Sequence, residues 1–431
     1  MAAPPALTPA PAAPRPRRAP PAPTAAIMKL AAFCVRFVAA NFMIDAVRGV
    51  VRRPPSGGAV WGWGTWTGGG GACQHARMRS ARLTVQANGI TQAVRVAGPP
   101  DGVPVLLVHG NVSSSAFWEP LLPRLPDTLR VVAPDLRGYG ETDTAPVDAT
   151  RGLDDFADDV AALLDAPGLF PPGARPVVAG HSLGGGVAMR LLVGQPDRVA
   201  GLLLEAPVSP YGFGGTRDLD GTPTTPDFAG TGAGGAHPDF VARLAAGDRS
   251  ADGPTSPRAV LRAAYVADPA SLGDDEDLLL ESMLTTATGD DNYPGTAVTS
   301  PHWPGTAAGP RGVLNALAPA HFRLADELVA VPVKPPVTWV RGDADVIVSD
   351  TSLFDLAYLG RLGVVPGWPG DGECPPQPMV GQTRAVLDRY AAAGGTYREV
   401  VLPGCGHSPH LERPAEFVAE LLALAGENAT G

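Results

Sequence analysis

From Arg82 onward, short apolar runs alternate with segments of helical period, and this alternation constrains the fold more than any other feature of the sequence. The continuous runs at 105–108 and 176–179 predict buried strands, whereas 155–164 and 183–192 predict helices. Strands that alternate with helices form parallel sheets covered by helices on both faces. The sequence therefore predicts an α/β fold with a mostly parallel sheet.

The start and the end of this region carry further strand signals. Residues 81–98 alternate between apolar and polar side chains on either side of Asn88-Gly89, a dipeptide typical of two-residue hairpin turns. Strand-like runs return at 202–204, 337–340 and 397–402, and a helix is predicted at 414–425. We therefore assign the α/β core to residues 81–207 and 331–427.

The segment between these two halves breaks the rhythm. Residues 208–330 contain Gly/Pro/Thr/Asp loops and short helical patterns at 238–246, 258–266 and 277–284. A structureless connection of that length is uncommon in a compact domain, so we predict an inserted helical cap. A second insertion, rich in proline and glycine, is predicted at about 355–383.

The first 80 residues differ in composition from the rest. Residues 1–26 are rich in Pro and Ala and 53–72 are rich in Gly, so both are predicted to be disordered or flexible. Between them, residues 28–51 are apolar but interrupted by charged side chains, which excludes a membrane span. This segment predicts a helix that packs on the body or weakly contacts a membrane surface, with a secretory signal peptide as the alternative.

Composition narrows the class of function and partner. The formal net charge of −10 disfavours binding to nucleic acid, because like charges repel the phosphate backbone. The four cysteines form no zinc-binding pattern and are too few for a disulfide scaffold, although a bridge between Cys374 and Cys405 stays open. No cofactor is predicted. We expect a cytoplasmic protein, with secretion or membrane association through 28–51 as the alternative.

A nucleophile pattern lies where a predicted strand meets a predicted helix. Gly180-His181-Ser182-Leu183-Gly184 has the form G-x-S-x-G, in which small residues allow a tight turn that exposes the serine hydroxyl. The start of the following helix would stabilise developing negative charge beside it. The pattern alone is weak, but its strand–turn–helix context favours a catalytic serine.

Two later segments supply the partners that an acyl-transfer serine needs. A base must accept its proton, and a carboxylate must orient that base. Asp345 follows one predicted strand and His407 follows the last, and ligands bind at the carboxyl ends of strands in an open parallel sheet. Asp343, and less so Glu205, remain alternatives for the acid.

The segments VLLVHGNVSSS (105–115), APDLRGYGETD (133–143), GHSLGG (180–185), RGDADVIV (341–348) and GCGHSPHLERP (404–414) together resemble the α/β-hydrolase superfamily, in its esterase, lipase and peroxidase-like branch. The resemblance implies Ser182 as nucleophile, Asp345 as acid and His407 as base. It also implies an oxyanion hole formed by the backbone N–H groups of Asn111 and Leu183. Dehalogenases and epoxide hydrolases of this superfamily carry Asp at the elbow, so both activities are disfavoured.

The predicted activity is therefore hydrolysis of a small-molecule carboxylic ester through an acyl-enzyme. The same triad acting on an amide or a C–C bond, or in acyl transfer, is the second hypothesis, and a non-catalytic binding module is the third. Aromatic residues near the predicted mouth are candidates for substrate contact: Trp118, Trp303 and Trp368, with Tyr211 and Phe213. His109 is predicted to shape the oxyanion turn, and His410 to pack or cap the final helix.

Overall fold

Eight strands form one central sheet in the computed structural model, which describes residues 78–429, with side chains as far as residue 426. The predicted helix at 28–51 and its flexible flanks lie outside the described residues. The strands are β1 (Ala81–Ala87), β2 (Ile90–Ala97), β3 (Val103–Val108), β4 (Leu129–Pro134), β5 (Val177–His181), β6 (Gly201–Glu205), β7 (Val337–Gly342) and β8 (Tyr397–Leu402). The α/β fold is thus confirmed.

The order of strands across the sheet is β1-β2-β4-β3-β5-β6-β7-β8. Strand β2 pairs antiparallel with both β1 and β4, whereas the remaining neighbouring pairs, from β4 across to β8, are parallel. After β3 the chain moves to one side to form β4 and then returns across β3 to form β5 on the other side. Loops that leave β3 and β5 diverge at this switch point, where open α/β sheets bind ligands.

The hairpin of β1 and β2 forms as predicted. Ala87 pairs with Ile90, and the two turn residues have positive φ, 51° at Asn88 and 76° at Gly89. Positive φ at both central residues defines the type I′ turn, whose twist matches that of the strands it connects. Asn tolerates this conformation better than most side chains, and Gly does so without steric cost.

The helices that flank the sheet or lie in the segment between β6 and β7 include α1 (Asp154–Leu163), α2 (Leu183–Gly194), α3 (Pro238–Ala245), α4 (Glu276–Leu284), α5 (Ala325–Ala330), α6 (Met379–Ala392) and α7 (Pro414–Ala429). Alternate residues of β3 point to opposite faces. Leu106 and Val108 join the apolar core under α1 and α2, whereas Val105 and Leu107 join the core under α7. Both faces of the sheet are therefore buried, which explains the continuous apolar runs in its parallel strands.

The chain leaves the sheet after β6 and returns to it at β7. Between them, α3 and α4 share an apolar core of their own with the short helix Pro257–Val260. Pairs of short strands complete this region: Thr216–Arg217 with Thr222–Pro223, Thr288–Gly289 with Tyr293–Pro294, and Ala297–Thr299 with Thr306–Ala308. The last helix between β6 and β7 is α5, which instead packs its buried Leu328 into the core under α2.

Between β7 and β8 lie two further helices. The short helix Leu356–Arg361 belongs to a small apolar cluster, whereas α6 buries Val386, Leu387 and Tyr390 in the main core. Helix α6 begins inside the segment predicted as an insertion, so the sequence pattern did not reveal it. Another short helix, Pro409–Glu412, immediately precedes α7.

Cys374 and Cys405 are both free and buried, so the bridge that was left open between them is absent. No helix within residues 78–429 combines the length and apolarity needed to cross a bilayer.

Candidate active site

The turn between β5 and α2 holds Ser182 in an unusual backbone conformation. Its φ is 55° and its ψ is −114°, values that cost a non-glycine residue about 1–3 kcal/mol. A Cβ added at Gly180 would lie 2.3 Å from the Gly184 carbonyl oxygen, and one added at Gly184 would lie 2.2 Å from that of Val108. Both flanking glycines of G-x-S-x-G are therefore required by close backbone contacts.

Backbone hydrogen bonds fix this turn to the sheet and to the helix. The Ser182 N–H donates to the Glu205 carbonyl at 2.9 Å, and the Ser182 carbonyl accepts from the N–H groups of Gly185 and Val208 at 3.0 and 3.2 Å. Leu183 is the first residue of α2, so its N–H has no acceptor within the helix itself. Ser182 and Leu183 both line the same cavity.

Asp345 and His407 form a buried pair. His407 Nδ1 lies 2.9 Å from Asp345 Oδ2, and the other carboxylate oxygen accepts the N–H groups of Ile347 and Val348 at 2.7 and 3.1 Å. With Nδ1–H donating to the carboxylate, Nε2 is left as the basic nitrogen. His407 lines the cavity together with Ser182, although the two side chains do not hydrogen-bond to each other in the structure.

The two alternative acids make other contacts. Asp343 accepts the Gly404 N–H at 2.6 Å at the surface. Glu205 is fully buried and accepts both the backbone N–H and the ring Nδ1–H of His410, at 2.7 and 2.8 Å. Because His410 follows His407 by three residues, the Glu205–His410 pair ties the histidine loop to the carboxyl end of β6.

Two further polar side chains secure the loop that carries His407, and neither role was evident from the sequence. His181 Nε2 lies 2.9 Å from the His407 carbonyl oxygen, and burial lowers the pKa of His181 well below its usual value, so a neutral ring donates this bond. Glu412 accepts the N–H groups of Gly406 in the loop and of Ala267 and Asp268 in the cap. A single carboxylate thus joins the histidine loop to the cap.

The loop after β3 brings Asn111 to the cavity. Tyr139 donates its hydroxyl proton to Asn111 Oδ1 at 2.6 Å, and Tyr265 from the cap donates to the Asn111 carbonyl at 2.9 Å. Burial raises the pKa of both tyrosines, so both hydroxyls remain protonated donors. These partners were not predicted, because they come from distant segments of the chain.

His109 shapes this turn by hydrogen bonding, as predicted. Its Nε2 accepts the Leu136 N–H at 2.9 Å, so Nδ1 carries the proton that is donated to the Gly110 carbonyl at 2.8 Å. Burial lowers the pKa of His109 to about 4. The neutral ring fixes the peptide that precedes Asn111.

The three tryptophans predicted to bind substrate do not line the cavity, which corrects that prediction. Trp118 is fully buried in the apolar core under α7, where it packs against His410 and Phe417. Trp303 donates its indole N–H to the Pro366 carbonyl, and Trp368 donates to that of Cys374, both at 2.8 Å. All three serve packing, while Phe213 does reach the cavity.

The cavity itself has a volume of about 340 Å³, near the lower end of the range for small-molecule sites. Its wall is largely apolar and comes from three sources: the core, the cap and the segment after β7. Representative residues are Leu183 and Val208, Phe240 and Val260, and Ile347 and Leu353. Among the polar groups that line it, the Ser182 hydroxyl can act as a nucleophile, and the His407 imidazole, which Asp345 orients, can act as a base.

Two curated proteins are similar to part of this chain. Lipase LipV of Mycobacterium tuberculosis is 36% identical over 132 residues, which are 30% of this chain and 48% of that protein. RutD of Variovorax paradoxus, named as a proposed carbamate hydrolase, is 43% identical over 110 residues, 25% of this chain and 40% of the other. The chain thus spans less than half the length of these curated relatives.

The fold is shared with a serine hydrolase from the polyaromatic hydrocarbon-degrading bacterium Cycloclasticus zankles. That structure matches with a TM-score of 0.50 at 18% identity, over 81% of this chain and 99% of the other. The model of the alpha/beta hydrolase family matches residues 105–421, which include both halves of the core and the cap between them. The chain is therefore a member of the alpha/beta hydrolase family.

Proposed function

We propose that the protein is a serine hydrolase that cleaves a small-molecule carboxylic ester through an acyl-enzyme. The observation that carries the proposal is the buried His407–Asp345 hydrogen bond in a cavity that also contains Ser182 on its strained turn. Nucleophile, base and orienting acid are the three parts that activate a serine hydroxyl.

The first half of the reaction forms the acyl-enzyme. His407 Nε2 removes the proton from the Ser182 hydroxyl while Oγ attacks the ester carbonyl carbon. The negatively charged tetrahedral oxygen accepts hydrogen bonds from the N–H groups of Asn111 and Leu183. His407 then returns its proton to the alcohol oxygen, which leaves as the C–O bond breaks.

The second half uses water in place of the serine. His407 takes a proton from the water, whose oxygen attacks the acyl carbon, and the collapse of this second tetrahedral intermediate returns the proton to Ser182 Oγ and releases the carboxylic acid. Asp345 stabilises the imidazolium in both halves and keeps Nδ1 protonated, so that Nε2 is free to accept protons.

An ester is favoured over other bonds by two observations. The wall of the cavity is apolar, which suits an uncharged acyl or alcohol group, and one relative bears the name lipase. The amide, C–C bond and acyl-transfer hypotheses use the same three residues, so only a panel of substrates separates them.

The test compares Ser182→Ala with the unchanged protein on p-nitrophenyl esters, anilides and a dienoic ketone. We expect ester turnover that falls by about 10⁴-fold or more in Ser182→Ala. A fluorophosphonate probe should add one label to the intact protein and none to that variant. Ser80→Ala removes a hydroxyl bonded to Glu119, outside the cavity, and should keep full activity. Full ester turnover by Ser182→Ala would refute the mechanism.

A further inference from the structure

The cavity of the proposed esterase also indicates which esters it accepts, and this inference rests on the proposed function. We propose that the enzyme takes uncharged esters with an extended or bulky apolar group, and that Gly235 at the cavity mouth sets the upper size of that group.

The first relevant feature of the cavity is the charge of the side chains that line it. Among the described residues that line the cavity, none is a lysine or an arginine. The one carboxylate that lines it, Asp355, is itself occupied: its two oxygens accept the N–H groups of Ala357 and Gln377 at 2.9 and 2.8 Å. The His237 imidazole also lines the cavity, and its Nδ1 accepts the Asp239 N–H at 3.2 Å, so that nitrogen carries no proton to offer a substrate carboxylate. A substrate carboxylate would lose its hydration without gaining a counter-charge, and such burial is strongly unfavourable.

Apolar surface is the second relevant feature. The side chains that surround the cavity come from three separate segments, so a bound group is enclosed on several sides: Phe213, Phe240, Val260, Ile347, Leu353 and Phe354. Burial of apolar surface supplies about 0.8 kcal/mol per methylene, which corresponds to about a fourfold gain in binding for each one added. The acyl or alcohol group should therefore gain affinity with length until it meets the wall.

The position of the mouth follows from exposure. Phe354 lines the cavity and is nevertheless 44% exposed, and Gly235 also combines exposure with a place in the cavity wall. A residue that faces both cavity and solvent lies where the two meet. Gly235 ends the short 3-10 helix Gly232–Gly235, and Phe354 belongs to the segment after β7.

Gly235 is the glycine of this wall that can accept a side chain. Gly214, Gly230 and Gly232 have φ values of 78°, 84° and 74°, which favour glycine, and a Cβ on Gly234 would lie 1.7 Å from Thr306 Oγ1. At Gly235 the backbone is ordinary, and an added Cβ meets no atom within 4 Å. A side chain there would occupy the mouth without displacing the protein, so the present hydrogen leaves the mouth at its widest.

The first experiment measures kcat/KM on matched p-nitrophenyl esters. Hexanoate and the monoester of adipic acid differ by a terminal carboxylate, and acetate, butyrate and octanoate differ only in length. We expect hexanoate to exceed the adipic monoester by at least about 100-fold, and octanoate to exceed acetate by at least about tenfold. Equal rates for the neutral and anionic pair, or a preference for acetate, would overturn the inference.

The second experiment places a stiff, β-branched side chain at the mouth with Gly235→Val. We expect kcat/KM to fall at least about tenfold for octanoate and to stay within about twofold for acetate. Gly372→Val is the matched control, since Gly372 is exposed, has an ordinary φ and open space around its Cβ, and lies outside the cavity wall. Unfolding temperatures verify that both variants fold.

The outcomes separate the two proposals. Equal losses on acetate and octanoate in Gly235→Val, or equal losses in the control variant, would overturn the role of Gly235. Turnover without any preference for length or neutrality would overturn this inference and leave the esterase proposal intact. No turnover of any ester, together with no fluorophosphonate labelling, would overturn the proposed function and this inference with it.

Discussion

The two walls of the cavity are built by different kinds of interaction. On the sheet side, buried hydrogen bonds hold each polar group: Ser182 to Glu205, His407 to Asp345, and His410 to Glu205. On the cap side, the wall consists mainly of apolar side chains and of the glycines at 214, 230, 232, 234 and 235. Directional bonds fix positions closely, whereas apolar contacts tolerate changes of shape.

The difference between the two walls separates the groups that carry out the reaction from those that select the substrate. A substitution on the sheet side should reduce turnover of every ester, because it moves or disables a group that acts on the reacting atoms. A substitution among the apolar side chains and glycines of the cap side should change the ranking of esters instead. The following predictions test whether the two walls are as distinct as the contacts indicate.

The largest effect is expected at the carboxylate that pairs with His407. Asp345→Asn keeps the shape of the side chain, but it favours the wrong protonation of the imidazole and removes the charge that stabilises the imidazolium. We expect kcat to fall by about 10⁴-fold. Asp343→Asn is the matched control, since this carboxylate accepts only the Gly404 N–H at the surface. A larger loss in Asp343→Asn would reverse the assignment of the acid.

The sheet side should also make stability sensitive to acid. The pKa of His109 is lowered to about 4 in the folded protein and is about 6.5 when the ring is exposed, so the unfolded chain binds more protons between these values. Its contribution to the free energy of unfolding should therefore decline as pH falls from 6.5 to 4, by about 3 kcal/mol in total.

Urea unfolding at pH 7 and pH 5 measures this decline. His109→Gln should flatten the dependence on pH, although it should also lower the stability at pH 7. The contribution of His181 to the free energy of unfolding should also decline as pH falls, because burial lowers its pKa as well. The contribution of Asp355 should instead rise as pH falls below about 6, because burial raises its pKa to about 6 and the folded state then binds more protons than the unfolded chain. An unchanged slope in His109→Gln would show that this ring is not the source.

A smaller effect is expected at the link between β6 and the histidine loop. Glu205→Gln keeps one acceptor for the His410 N–H but loses the charge that pairs with the ring. We expect the free energy of unfolding to drop by about 1–3 kcal/mol. We also expect kcat to fall about tenfold with KM nearly unchanged, because the loop that carries His407 loses its anchor. Glu373→Gln, at an exposed position, should change neither quantity.

The smallest effect is expected where the cap contacts the oxyanion turn. Tyr265→Phe removes one hydroxyl that donates to the Asn111 carbonyl, a loss of about 1 kcal/mol. Turnover should therefore fall about fivefold for every ester, short or long. Tyr397→Phe also removes one hydroxyl hydrogen bond, to Asp388 on the surface, and should leave turnover unchanged. A loss confined to long esters would assign Tyr265 to the selectivity wall instead.

The parts of the fold that could be predicted from sequence are those with a local pattern. The strands β5 and β6, the helices α2 and α4 and the hairpin turn each follow from apolar runs, helical period or turn residues within a few positions. The same holds for the turn at Ser182, since its glycines are needed by contacts within the strand–turn–helix itself. Asp345 and His407 were located by their places after strands of one sheet.

The parts that could not be predicted depend on contacts between distant segments. Trp118 follows β3 closely, yet its side chain joins the apolar core under α7 and packs on Phe417 of that helix, which no local pattern reveals. Tyr265 and Glu412 meet their partners across the boundary between cap and core. The start of α6 was hidden because a run of prolines leads directly into it.

The burial of Cys405 has a practical consequence for thiol chemistry. Its Sγ lies 3.5 Å from a Glu412 oxygen, and burial beside that carboxylate raises the pKa of the thiol, so the reactive thiolate is scarce while the loop is closed. Alkylation by iodoacetamide at this residue should therefore proceed only as the loop opens. Mass spectrometry that follows the alkylation of Cys405 over time would then measure the rate at which the segment that carries His407 opens.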